Sequence, residues 1–547
     1  MIRLKGGHVI DPKNSRDAVG DVWIDGERIV EAPENGRASQ TYDLTGKIVM
    51  AGGIDIHSHI ASANVNIARL MLPERHGPAP LSADMALDTS GLSTFDNGIL
   101  YAEMGYTLVV DPAVNPSDAL HAHIELALTP VIDRGLLLVL GNEDFLLGML
   151  RDREGENAVE DYVATMLSAG WGLGVKVINA GGAAAFKSNV RAFSLDDEVP
   201  EYGVSSRAIV NALQAAVNGL GVPHPLHIHC NNLGLPGSVD TAEATMEAAG
   251  GLPMHLAHLQ FYGYGTEGKR GFSSAAAKLA ERVNATPNVT IDVGQVMFGP
   301  TVTVSSDTLR QFAQRRFAKP RKWTVWDSEG NGGGIIPVVY GERDFVNALQ
   351  WAIGLELFLL IDDPWQVYFT TDHPNGAPFT RYPEILHLLM DADERVRWLE
   401  RLPKGAVEST TLGGLKREYS LTEVATMTRA APARLLGLTD RGHLGPGALA
   451  DIAVYEDRPD RTAMFRRAHL VFKSGEPVVR DGAVTNVRWG RTLGVHPAAP
   501  KQMHRRLSGY FEELYGYPLE RLDVREPVVA TTAGVDSVFE EVTCRRS

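Results

Sequence analysis

The chain has 547 residues, 44% hydrophobic and 22% charged, the composition of a globular protein too long for one small domain. A net charge of -15, from 52 basic against 67 acidic residues, argues against nucleic acid or an anionic membrane as the main partner. With only Cys230 and Cys544 there is no disulfide framework and no cysteine-based metal site; no apolar run approaches the roughly 20 residues of a membrane span, and "MIRLKGGHVIDP" lacks the apolar region of a signal peptide, so a cytoplasmic location is expected.

From the N-terminus, "HVIDP", "DVWIDGERIVEA" and "TYDLTG" are short alternating segments broken by Gly, Asp and Asn, which predicts part of a small antiparallel β unit over residues 1–50. Residues 51–435 then alternate strand candidates with helical patterns. The strands are "VMAGGIDIHSH", "YTLVVDPAV", "LLLVLGN", "GLGVKVINA", "PLHIHC", "MHLAHLQF", "VTIDVGQVMFG" and "VYFTTDHP". Segments between them, such as "SSRAIVNALQAAVNGLG", carry apolar residues at helical spacing and end in glycine. These units predict an α/β fold, a (β/α)8 TIM-like barrel with its active site at the C-terminal strand ends. Within 436–490, "GHLGPGALADIAVYEDRP" and "AHLVFKSGEPVVRDGAV" return to the texture of the first fifty residues and predict the second part of a composite β-sandwich domain. Residues 491–547 read as a helical or irregular extension.

Unusual polar residues fall where barrel chemistry sits. In "GGIDIHSHIA", His57 and His59 are two apart and share a strand face, a spacing that suits one metal ion as well as it suits two chance core histidines. Lys176 is flanked by valines in a strand buried on both faces, where an ammonium is costly unless paired or neutralised. Its neutral amine can add carbon dioxide, and the carbamate formed can bridge two metal ions. His229, nearer the strand end than His227, is the better ligand of "PLHIHC", and His227 reads as a second-layer or core residue. In "MHLAHLQF", His255 and His258 face opposite ways on a regular strand, and His258 is the one expected in the site. Cys230 reads as structural. Asp372, ending the last strand in "FTTDHPNGAP", can do general acid–base work beside an activated water, or cap the following turn.

Taken together, His-x-His on strand 1, Lys on strand 4, one His each on strands 5 and 6 and Asp on strand 8 resemble the amidohydrolase superfamily, whose binuclear members use ligands in this order. The segment "GHLGPGALADIAVY" is similar to that superfamily's recurrent element in the composite domain. "HSHIASANVNIARLMLPE", "GLGVKVINAGG", "LHIHCNNLGLPGS", "HLAHLQFYGYG" and "TDHPNGAPFTRYP" look like the A subunits of formylmethanofuran dehydrogenase and of the bacterial formyltransferase/hydrolase complex. The resemblance implies hydrolysis of the N-formyl amide of a formyl-methanofuran-type carrier during one-carbon oxidation, in a complex with other subunits. It implies two metal ions, zinc for this nitrogen and oxygen donor set, held by His57, His59, Lys176 as its carbamate, His229, His258 and Asp372. Activated water attacks the formyl carbon, and Asp372 passes the proton to the departing amine. Asn231, Gln260 and Arg381 lie beside these motifs and are candidate contacts to the formyl group or carrier.

Three alternatives stay open at this point: the same site working in the formate-condensing direction of formylmethanofuran dehydrogenase, a stand-alone cyclic amidohydrolase of the dihydropyrimidinase or dihydroorotase type, and a non-catalytic scaffold. Richness in Ala, Gly and Arg, with few Lys and Ile, favours the bacterial complex.

Overall fold

The computed structural model describes residues 1–72, 93–190, 193–268, 270–305, 307, 324–328 and 331–545. The last two residues of "HSHIASANVNIARLMLPE" lie outside them. Among the described residues no helix is long and apolar enough to cross a membrane.

Eight parallel strands form the barrel wall: β1 (Gly53–Asp55), β2 (Tyr106–Val114), β3 (Asp133–Val139), β4 (Gly174–Ile178), β5 (Leu226–His229), β6 (Met254–Leu256), β7 (Val289–Asp292) and β8 (Val367–Tyr368). Seven lie within the segments expected from the sequence, and β3 overlaps its segment but starts three residues earlier, at Asp133. They are apolar runs buried on both faces because the barrel interior takes one set of side chains and the surrounding helices the other. The wall closes between the extensions of β1 and β8, where the His59 amide donates to the His373 carbonyl at 2.7 Å.

Helices follow the strands, among them Ala119–Ala127, Glu156–Gly170, Ser206–Gly219, Ser238–Ala248, Ala276–Asn284 and Phe345–Leu360. Two of them start at side-chain caps that the sequence supplies: Ser205 accepts from the Ala208 amide, and Asp344 from those of Val346 and Asn347. Between β7 and helix Phe345–Leu360 the chain makes a three-stranded antiparallel insert, Gly299–Ser305, Thr324–Ser328 and Asn331–Tyr340.

The small domain is one nine-stranded sheet built from both ends of the chain. Lys47–Ala51 pairs antiparallel with Ile452–Glu456, and alternate residues Val49, Ala51, Ile452 and Val454 pack into its core with Leu4, Ile24 and Phe472.

Beyond residue 490 the chain is more than the helical or irregular extension its sequence suggests. Arg491–Gly494 pairs parallel with the start of β3 (Thr492↔Arg134, Leu493↔Gly135), and the Val495 amide donates to Gly172 just before β4 at 2.9 Å. The tail thus fills the seam between β3 and β4 at the barrel's N-terminal end. A second strand, Val538–Glu541, pairs with it, and the helix Lys501–Tyr515 lies between the two in sequence. Buried Asp133 accepts from Lys473 and Arg441, each at 2.9 Å, and Arg441 reaches Glu540 at 2.7 Å. One ion cluster therefore joins barrel, small sheet and tail.

Candidate active site

The His-x-His pair sits just past β1, on a turn held from below. Asp55 is fully buried and accepts the His57 amide at 3.0 Å and the hydroxyls of Tyr101 and Tyr382 at 2.8 and 2.5 Å. Across the β1–β8 seam the Thr370 hydroxyl donates to the His57 carbonyl at 2.8 Å and accepts from the Asp372 amide at 3.0 Å. These ties set both imidazoles opposite Asp372. His57 Nε2 and His59 Nε2 are each 3.0 Å from Asp372 Oδ1, and Asn375 Nδ2 donates to the same oxygen at 2.9 Å. Burial would raise the Asp372 carboxyl, but His57 and the His59 hydrogen bond outweigh it and hold it well below the usual range.

Lys176 enters the same space from β4, beside His227 in the β4–β5 register. It is 1% exposed, and its Nζ has no hydrogen-bond partner among the described residues. Burial drives its pKa down, Asp292 and Asp372 pull part of the way back, and it settles at about 8. An orphaned amine so near neutrality is the state from which a carbamate forms.

A second pair of donors meets next to it. His229 Nδ1 and His258 Nε2 face each other at 3.0 Å. Two nitrogens held about 2.0–2.1 Å from one tetrahedral ion lie roughly 3.3 Å apart, so this separation suits a shared ion. His258 stands beyond the end of β6 in a left-handed conformation (φ 34°), and the backbone of Gly294 packs against it: a Cβ on Gly294 would lie 2.4 Å from the His258 Cβ.

Below these donors lies a layer that the sequence does not reveal as a unit. Asp292, ending β7, is fully buried. Its Oδ2 accepts from His57 Nδ1 at 2.8 Å and His255 Nε2 at 3.1 Å, and lies 3.6 Å from His227 Nε2; its Oδ1 accepts the His258 amide at 2.6 Å. Burial raises its pKa, and the neighbouring His57 and His255 more than reverse this, so it stays ionised. His255 therefore points into the barrel interior, one layer beneath the site. The alternation that separated it from His258 applies only along a regular strand, and β6 ends at Leu256. His224 continues the layer, 3.3 Å from His227 Nδ1. Asp307 plays a matching part for His229, 3.3 Å from its Nε2.

The three candidate substrate contacts do not join the donors around the cavity. Asn231 is tied to Ser206 and the Phe193 carbonyl, Gln260 is fully buried, and Arg381 pairs with Glu384 at 3.0 Å. His57, His59, Lys176, His229, His258 and Asp372 do converge, on the floor of a cavity of about 750 Å³. Its walls are largely apolar, with Val304, Ile336 and Val338 from the insert facing Leu233, Phe261 and Phe272. A small polar group that reaches the donors would lay whatever body it is attached to along these walls.

The donors suit metal ions. His57, His59 and Asp372 bring one ligand atom each within 4.8 Å of one another, the set is nitrogen and oxygen without thiolate, and a buried amine without a partner stands beside it.

Comparison with known proteins agrees with this picture. The model of the amidohydrolase family matches residues 40–485. The A subunit of the formyltransferase/hydrolase complex Fhc of Methylorubrum extorquens is 50% identical over 550 residues, covering 100% of both chains. Protein FwdA of Methanocaldococcus jannaschii is 38% identical over 518 residues, 90% of each chain. The crystal structure of the M. extorquens formyltransferase/hydrolase complex (FhcABCD) with methylofuran contains a chain that superposes with a TM-score of 0.95 at 51% identity, over 100% of both chains. With a fold, a donor set and full-length likenesses that agree, the chain belongs to the amidohydrolase family, in the branch that holds protein FwdA and its Fhc counterpart.

Proposed function

We propose that this chain is a metal-dependent amidohydrolase that cleaves the N-formyl amide of a formyl-methanofuran-type carrier to formate and the free carrier amine, as the hydrolase subunit of a formyltransferase/hydrolase complex. The observation that carries the reading is the convergence of six ligand-type side chains on the floor of an apolar-walled cavity, in a chain similar from end to end to its counterpart in the Fhc complex. The same floor could serve formate condensation; the lower identity to protein FwdA favours hydrolysis.

His57, His59 and Asp372 would hold one ion and His229 and His258 a second, with carboxylated Lys176 between them; zinc suits these donors. When bound, such ions supply Lewis acidity that activates water near neutral pH and polarises the formyl carbonyl. The remaining work falls to the chain itself. Lys176 Nζ would form a bond to carbon dioxide and release a proton, which would turn a buried amine without a partner among the described residues into an anionic carbamate able to serve as a metal ligand. Asp372 takes a proton from the attacking water and returns it to the departing nitrogen. The contacts from His57, His59 and Asn375 all fall on Oδ1, which supports Oδ2 as the oxygen that takes the proton. The apolar walls keep bulk water from the reacting amide and align the carrier.

The test is purification from the host with whatever subunits accompany the chain, followed by metal analysis and an assay of formate release from formylated carrier. Formate release by the metal-loaded complex is expected. Its absence overturns the proposal.

A further inference from the structure

The donors on the floor are two apart in sequence at most once; the rest come from strands far apart in the chain and need a common reference. One side chain touches ligands of both ion positions. Asp292 Oδ2 lies 2.8 Å from His57 Nδ1, and Oδ1 is 2.6 Å from the His258 amide. A carboxylate can only accept, so His57 Nδ1 gives its proton to Asp292, and the Nε2 that faces Asp372 is the nitrogen left to exchange its own proton for a metal ion. The second contact pins the backbone at a residue whose φ of 34° needs support. A further tie runs alongside, from the Gln260 backbone amide to the Val293 carbonyl at 3.2 Å, so a second hydrogen bond links the end of β7 to the His258 turn.

We propose that Asp292 is the positioning residue of the metal centre, committing His57 Nε2 to the first ion while holding the His258 backbone so that its ring meets the second. This rests on the metal-centre reading above and adds to it a residue that is itself no ligand. Asp292, His57 and His227 also bring atoms within 4.8 Å of one another and could be read as an ion site of their own. Two observations argue against that. Both oxygens of Asp292 are already engaged by N–H groups, and the ring that such a site would take through Nδ1 is the ring the first ion takes through Nε2. Asp292 is also absent from the cavity lining, fully buried beneath it.

Asp292→Asn keeps the shape but offers one accepting oxygen where two are in use. Either His57 or the His258 amide then faces an N–H donor. The experiment compares wild type, Asp292→Asn and His57→Ala as full chains with their accompanying subunits, measuring metal retained against a graded chelator, kcat for formate release, and thermal melting. Removing such an outer contact typically lowers metal affinity by about 10- to 100-fold. Asp292→Asn should therefore lose metal at correspondingly lower chelator concentration, and its kcat should recover when excess zinc is added, which a general loss of structure would not allow. If His57→Ala loses an ion and Asp292→Asn retains metal like wild type, the inference fails while the metal-centre reading stands. If His57→Ala keeps both ions, the metal-centre reading itself fails. Should Asp292→Asn not fold, a crystal structure of the zinc-loaded wild type decides: ligation through His57 Nε2, with Asp292 still bonded to Nδ1, supports the inference. Ligation through Nδ1, or by Asp292 itself, overturns it.

Discussion

Gly294→Ala should remove the second ion without replacing a ligand. Gly294 has φ +66°, a region that costs an L-residue roughly 1–2 kcal/mol. The added methyl would lie 2.4 Å from the His258 Cβ and 2.9 Å from its Cα. Ordinary carbon–carbon contacts sit at about 3.5–4.0 Å, so His258 has to retreat by roughly 1 Å. It cannot rotate away instead, because the obstruction is its own main chain and first side-chain atom. Metal–ligand distances tolerate only about 0.2 Å, and a misplacement of about 1 Å costs on the order of 100-fold in rate. The variant should fold with reduced stability, carry close to one ion per chain, and release formate about 100-fold more slowly. Elemental analysis after dialysis, thermal melting and a formate assay measure the three quantities. Two tightly held ions together with wild-type formate release would refute the reasoning.

Asp372→Asn retains an oxygen for the metal but loses the base, and should lower formate release by about 10²- to 10⁴-fold while assembly with partner subunits persists; near-normal hydrolysis would reject the assigned role. Lys176→Ala should lose most activity and regain part of it with added short carboxylates, whereas an unmodified lysine in an active, metal-loaded crystal would rule out the carbamate. The metal-free chain should be less stable at pH 9 than at pH 6. Burial alone would lower the His57 pKa, but Asp292, with a smaller contribution from Asp372, raises it to about 9, so its stabilisation is complete below about 6.5 and lost as pH rises through about 9. Metal uptake displaces its Nε2 proton, so zinc affinity should climb by about tenfold per pH unit below 9; calorimetric titration showing no pH dependence would contradict this.

Much of this was legible in the sequence because it depends on short-range pattern. Fully buried parallel strands read as apolar runs, and the strand-end histidines stand out against them, so the eight barrel strands and the donors of the floor could be placed without coordinates. What the sequence hid was set by partners far along the chain. Asp292 is one acidic residue in "VTIDVGQ", and nothing local tells that His57, 235 positions away, will donate to it. His255 was misdirected by strand alternation because the strand stops two residues before His258. The apolar wall formed by "TVTVS" and "IIPVVY" reads as ordinary β-hairpin sequence, and only the barrel beside it makes it one side of a cavity. Asn231 and Arg381 were drawn in by proximity to motifs, yet each is already engaged by neighbouring protein groups.

The strand that fills the β3–β4 seam has a consequence for the order of events in biosynthesis. Thr492 joins Arg134 across 358 residues, and Glu540, further still, neutralises Arg441 over buried Asp133. A ribosome must deliver residues through 540 before these partners exist, so the nascent barrel waits with its lower rim open and Arg441 short of its outer carboxylate. Contacts at such separation are slow to close, and the exposed strand edges are open meanwhile to other chains. Late synthesis of this piece therefore makes the segment from Arg491 to Glu541 the latch of the folding reaction, and a chain ending before Arg491 should accumulate as aggregate.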